Sequence, residues 1–99
     1  MAKEFKYEIT EAMGILQESP SSDWVVELNK ISWNDKPPLV DIRRFNRGVD
    51  AKIVMGKGVS ISDEAANELA NLLISSGYGD FKIIKRVYKE RKPSKSSKS

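Results

Sequence analysis

Four segments of strand character precede one strongly capped amphipathic helix, and that order limits the architecture more than any other feature of the chain. One helix can cover one face of a four-stranded sheet, which leaves the other face to solvent, a second subunit or a ligand. Ser62 is an N-cap residue, with Asp63 and Glu64 beside the positive end of the helix dipole. Ala65, Leu69, Leu72 and Leu73 then recur at i, i+4, i+7 and i+8 as an apolar stripe, and Gly77 suits the C′ position. The pattern predicts a helix of about 14 residues, roughly 21 Å long.

The strands are read from alternation. Phe5 to Glu18 alternates in part and includes Gly14, which predicts a long or bent strand with a bulge. After the turn-forming Ser19–Asp23, Trp24, Val26 and Leu28 share one face of a second strand, and Trp24 is expected in the core. Ile31 and Trp33 have the opposite parity, so either a bulge intervenes or Trp33 points outward. Pro37 and Pro38 bar regular pairing after it. On the third strand, Leu39–Phe45, Val40 and Ile42 face one way and Asp41, Arg43 and Phe45 the other. Val54–Ile61 is a fourth strand interrupted by Gly56-Lys57-Gly58. Phe81–Tyr88 admits a strand or a short helix, and the Lys/Ser-rich stretch from Lys92 to Ser99 is expected to be disordered.

Composition narrows the chemistry. The 99 residues suffice for one domain, and they include neither cysteine nor histidine. Disulfides, zinc–thiolate sites and imidazole ligands are therefore excluded, as is the commonest general acid–base group near neutrality. No cofactor, metal site or catalytic constellation is expected, and the chain is not read as an enzyme. No apolar run approaches the roughly 18 residues of a membrane span, and the amino terminus lacks a secretory pattern, so no membrane partner and a cytoplasmic, nucleoid-associated location are expected. The formal net charge of +3 is uneven. Residues 85–99 hold seven basic groups against Glu90, whereas residues 1–84 hold ten basic against thirteen acidic. The tail thus sets the high pI, and what matters for a polyanionic partner is whether the remainder gathers its cations on one face.

One constellation carries chemical information: Trp33-Asn34-x-Lys36, Arg43-x-Phe45 and Gly56-Lys57-Gly58. Single-stranded nucleic acid needs flat side chains for unstacked bases and cations for the phosphates between them, and stacking contributes about 1–3 kcal/mol per base. Each element also has a plain structural explanation. Trp33 and Phe45 serve equally well as core plugs, Arg43 as the partner of Asp41, and the glycines as a bulge without a ligand. No P-loop is present, because the GxxxxGK[ST] spacing is missing.

Taken in order, Leu28-Asn29-Lys30-Ile31-Ser32-Trp33-Asn34, Pro37-Pro38, Asp41-Ile42-Arg43 and Met55-Gly56-Lys57-Gly58-Val59-Ser60-Ile61 resemble the single-stranded DNA-binding domain of the coactivator family of positive cofactor four, in its small bacterial, YdbC-like branch. The likeness spans about residues 5–76. It implies an α+β fold with a curved four-stranded antiparallel sheet followed by one carboxy-terminal helix, paired as a homodimer with sheet faces that bind unpaired DNA. It further implies that Trp33 stacks on bases and that Lys36, Arg43 and Lys57 line the DNA path, with Phe45, Lys30, Asn34 and Arg44 nearby. Arg44 stands where the family commonly has an acidic residue, and the loop from Asn46 to Ile53 is unlike the family's. The expected organisation is a DNA-binding domain over 1–79 and a basic extension over 80–99. The expected role is DNA binding with little sequence preference in transcription, replication or repair. Single-stranded RNA, or a protein of the transcription machinery, is the alternative partner.

Overall fold

The structure is a computed structural model that describes residues 6–48 and 53–91. Its elements are β1 (Tyr7–Glu18), β2 (Trp24–Trp33), β3 (Leu39–Asn46), β4 (Val54–Ile61), α1 (Asp63–Ser75) and α2 (Phe81–Arg91). The four strands form an antiparallel meander in the order β1-β2-β3-β4. The expectation of a single helix is corrected: Phe81–Arg91 is a second one. The expected disorder from Lys92 onward lies outside the described residues.

Turn chemistry sets the register at the β2–β3 hairpin. Asn34 and Asp35 both have positive φ, 50° and 66°, and the Lys36 amide donates to the Trp33 carbonyl at 2.9 Å. Two consecutive left-handed residues closed by that bond make a type I′ turn, whose twist matches the strands it joins. Asn and Asp tolerate this backbone because their short polar side chains bond locally.

β1 runs against β2 with three register shifts, at Ile9/Glu11, Ala12/Gly14 and Ile15/Gln17. Each leaves one extra residue on β1, and each such bulge bends and twists the strand. A fourth shift falls between Arg43 and Phe45 of β3, with the extra residue on β4 at Gly56-Lys57. The glycines there have a packing reason. A Cβ on Gly58 would lie 2.5 Å from both Arg43 Cβ and the Ile42 carbonyl, and one on Gly56 would lie 2.7 Å from the Trp24 ring.

β2 and β3 pair without interruption from Trp24↔Asn46 to Ile31↔Leu39. Directly paired residues share a face. Glu27, Asn29 and Ile31 therefore stand with Arg43, Asp41 and Leu39, while Val26, Leu28 and Lys30 stand with Arg44, Ile42 and Val40 on the other side. Burial favours the first face: Glu27, Asn29, Ile31, Asp41 and Phe45 are all buried, Val40 being the buried residue of the second. The expectation that Trp24 lies in the core is corrected, since it is half-buried, as are Val26 and Leu28 on its face. The polar side chains of the Glu27 face are satisfied internally. Ile31 and Trp33 need no bulge in β2; they belong to this inner face.

The chain divides into two compact units, Met1–Ala66 and Asn67–Ser99. The first holds the sheet and the start of α1. There Ser62 caps the helix as expected, its hydroxyl accepting from the Ala65 amide at 3.0 Å. In the second, Gly77 (φ 99°) ends α1. Its amide donates to Ile74, and the Tyr78 amide to Leu73, which is a Schellman motif. Asp80 then caps α2, accepting from the Lys82 amide at 2.9 Å. Neither helix buries a residue; Leu69, Leu72, Leu73 and Ile74 of α1 are 36–56% exposed.

Candidate nucleic-acid interface

The inner face of the sheet carries two linked polar clusters. In the first, Arg43 donates through Nε and Nη2 to the two carboxylate oxygens of Asp41, at 3.0 and 2.8 Å. Its Nη1 reaches the Gly56 carbonyl at 3.2 Å. Asp41 also accepts from the Ser60 hydroxyl at 2.7 Å, and that hydroxyl accepts from the Trp33 indole Nε1 at 2.9 Å. The Arg43 guanidinium lies 4.9 Å from the Trp33 ring centroid. Tyr7, paired with Trp33 across β1 and β2, sets its own ring 5.8 Å away at 39°. Four residues from three strands thereby fix one half-exposed indole.

In the second cluster Arg47 makes a bidentate pair with Glu27, at 2.5 and 2.9 Å, and the Asn29 amide donates to the same carboxylate at 3.2 Å. The Arg47 hydrogen bond holds the Glu27 carboxyl below the usual carboxylate range despite the opposing effect of burial; the Asn29 bond and the Arg47 charge act in the same direction. Above Phe45, the same guanidinium lies 5.2 Å from the ring centroid.

These positions sort the predicted site residues. Trp33 and Arg43 are brought together. Asn34 and Lys36 lie in the adjoining turn, where Asn34 is tied to the Lys6 backbone and the Lys36 side chain is exposed. Lys57 is exposed in the β4 bulge, on the strand that pairs with Arg43.

The structure sets three of the expected site residues apart from Trp33 and Arg43. Phe45 is fully buried, between Val25 and Met55 in the register and under Arg47, so its ring is closed to a base. Arg44 belongs to the opposite face, its guanidinium 4.7 Å from the Trp24 ring. Lys30 is also on that face, 3.9 Å from Asp63. Strand alternation is the reason for the last two: neighbours of inner-face residues point away from it.

Arg43 is 14% exposed, its charge is matched by a fully buried carboxylate, and its guanidinium lies against the Trp33 ring. Tyr7, Ser60, Glu27, Asn29 and Arg47 were not foreseen. The two-residue spacing of Glu27, Asn29, Ile31 and Trp33 carried the signal for two of them, a polar-to-aromatic stripe on one strand face.

A small α+β protein with a four-stranded antiparallel sheet, one face of which presents a buttressed indole above a buried polar network, is the class that this fold and site define. Comparison with known sequences makes it specific. Residues 21–72 match the family described as Transcriptional Coactivator p15 (PC4). A protein of Treponema pallidum (strain Nichols), named "Uncharacterized protein", is 39% identical over 72 residues, which span 73% of this chain and 80% of that one. The chain belongs to the PC4 family of coactivator and single-stranded DNA-binding domains.

Proposed function

We propose that this chain binds single-stranded DNA with little sequence preference, as a homodimer, in transcription, replication or repair. The carrying observation is the Trp33 ring, held by Arg43, Tyr7 and Ser60 on the inner face of a PC4-family sheet. A held ring loses little further freedom when a base stacks on it, and stacking is indifferent to base identity. The exposed Lys36 and Lys57 supply charge for the flanking phosphates, with Asn34 framing the turn beside the ring.

Dimerisation is supported by what one protomer leaves uncovered. The α1 stripe of Leu69, Leu72 and Leu73 is at least 36% exposed. An exposed apolar stripe of this kind marks an association site. The protein is a binding module with no catalytic step and no cofactor, placed where it meets DNA in the cytoplasm. Among the described residues no helix is long and apolar enough to cross a membrane.

The test is a titration of the full chain with oligo-dT, a matched RNA and a blunt duplex of equal length, read by tryptophan fluorescence. Quenching by oligo-dT well in excess of the duplex supports single-strand binding. Equal response to all three, or none, overturns it.

A further inference from the structure

α2 lies wholly beyond residues 21–72, the part that matches the family. Its eleven residues, Phe81–Arg91, contain Lys82, Lys85, Arg86, Lys89 and Arg91 against a lone acid, Glu90. At 3.6 residues per turn, Lys82, Lys85, Arg86 and Lys89 fall within an arc of about 100°. Ile83, Ile84 and Val87 occupy the opposite side. They line an apolar groove of about 630 Å³ with Asn71 and Ile74 of α1. The helix thus turns its apolar side toward α1, and the basic arc lies on the far side.

The cations of that arc are largely unmatched. Among the described residues the one ion pair in α2 is Arg86–Glu90 at 3.9 Å, with both side chains more than 60% exposed, which is too solvated to neutralise much. α1 is acidic, with Asp63, Glu64 and Glu68 and no basic residue, yet no carboxylate of α1 pairs with α2 among the described residues. Residues 92–99 add Lys92, Lys95 and Lys98 with no acid, so the positive charge of the helix continues in the sequence.

From this arrangement we infer that the basic face of α2 is a second nucleic-acid contact, a helical surface that binds the phosphate backbone without reading bases. The inference rests on the DNA-binding role proposed for the sheet, in that both sites then serve one polyanion. It differs in chemistry: the sheet offers a ring to unpaired bases, whereas the helix offers charge alone and is indifferent to strandedness. Lys82 to Lys89 spans about 10 Å at 1.5 Å per residue. Each strand of a duplex presents one charge per about 3.4 Å of axis, so three or four phosphates of one strand lie along the span of the four cations.

The full chain is compared with a variant carrying Lys82→Gln, Lys85→Gln, Arg86→Gln and Lys89→Gln. Glutamine is a good helix former, so helicity by circular dichroism should be retained. Binding to oligo-dT and to a blunt duplex is measured between about 50 and 200 mM salt. Loss of four contacts should reduce the slope of log K against log salt by about 3, or roughly 50-fold in affinity over that fourfold range. A second variant, with Lys82→Arg, Lys85→Arg and Lys89→Arg, keeps the charge and should keep the slope. Equal slopes for the Gln variant and the parent overturn the inference. Tryptophan quenching by oligo-dT separates the two sites. If quenching persists in the Gln variant while its slope is unchanged, the helix inference fails alone. If quenching is absent in both while the slope difference remains, the sheet proposal fails and the helix contact stands.

Discussion

The Arg43 guanidinium sits 4.9 Å from the centre of the Trp33 ring while two of its nitrogens hold the carboxylate of Asp41. A cation over an indole face is attracted by the ring quadrupole, more strongly when both are partly desolvated. The planar fork of arginine permits both contacts at once, which lysine could not reproduce. Since Asp41 is fully buried, the cation is anchored from below and the ring is set in place by it. The sheet therefore presents a preorganised aromatic surface, and under the proposed function Lys36 and Lys57 are the residues that supply charge for phosphates.

Trp33→Ala should weaken oligo-dT binding by about 1–3 kcal/mol, roughly 5- to 150-fold, the worth of one stacked base. Trp33→Phe keeps a ring but loses the Nε1 donor to Ser60, so it should retain most of the affinity. Fluorescence anisotropy with a labelled oligo measures both. An unchanged affinity in the alanine variant would remove Trp33 from the binding surface.

Lys36→Gln and Lys57→Gln should act mainly through salt dependence. Each lost phosphate contact should lower the slope of log K against log salt by about 0.7 on single strands. Arg44→Gln should leave that slope unaltered, because its side chain is on the other face of the sheet, over Trp24. Titrations at several salt concentrations compare the three.

Much of this was legible in the chain itself. The four strands, the Ser62 and Gly77 caps of α1 and the separation of Asp41, Arg43 and Phe45 from Val40 and Ile42 all follow from local residue types and a period of two. The family likeness, carried by the ordered motifs from Leu28 to Ile61, is likewise supported by the match over 21–72. What local pattern could not give is which face closes. Trp24, Val26 and Leu28 look like core by hydrophobicity, yet Glu27, Asn29 and Asp41 are the buried ones, with Arg43 and Arg47 neutralising the buried carboxylates. That compensation depends on partners 2 to 20 residues apart, and no window of alternation contains it.

The Glu27–Arg47 pair should make stability fall in acid. The Glu27 carboxyl is held below its ordinary value, first by its hydrogen bond from Arg47. A carboxyl depressed in the folded state contributes stability that is fully present above its unfolded pKa, about 4.3, and is lost as pH falls through the lower folded value. Urea denaturation at a series of pH values should show the parent and Arg47→Met differing by a constant amount above about pH 5 and converging below the unfolded value. A difference independent of pH down to strong acid would show that the pair does not titrate with folding.

Gly58→Ala tests the close approach of β4 to β3. The added methyl would meet Arg43 Cβ and the Ile42 carbonyl at 2.5 Å, and a backbone oxygen cannot rotate aside. Overpacking of this kind typically costs about 1–3 kcal/mol. Arg43 is the residue pushed, so the variant should also lose some oligo-dT affinity through misplacement of Trp33. Calorimetry and anisotropy on the same sample would register both effects, and loss of neither would mean that the strands have room to separate.

Asp41→Ala is the most consequential single change that the site allows. The carboxylate is 0% exposed, accepts two bonds from Arg43 and one from Ser60, and through them holds both the cation and the indole donor of Trp33. Removing one member of a buried ion pair leaves the other uncompensated and costs about 3–5 kcal/mol. The double change Asp41→Ala with Arg43→Met relieves the stranded charge, so it should recover part of the lost stability in chemical denaturation. Oligo-dT affinity should not return with it, because the thioether side chain cannot hold Trp33 as the guanidinium does. Recovery of stability together with full affinity would show that the indole needs no cation above it, and that Arg43 matters to this protein for its pairing with Asp41 alone.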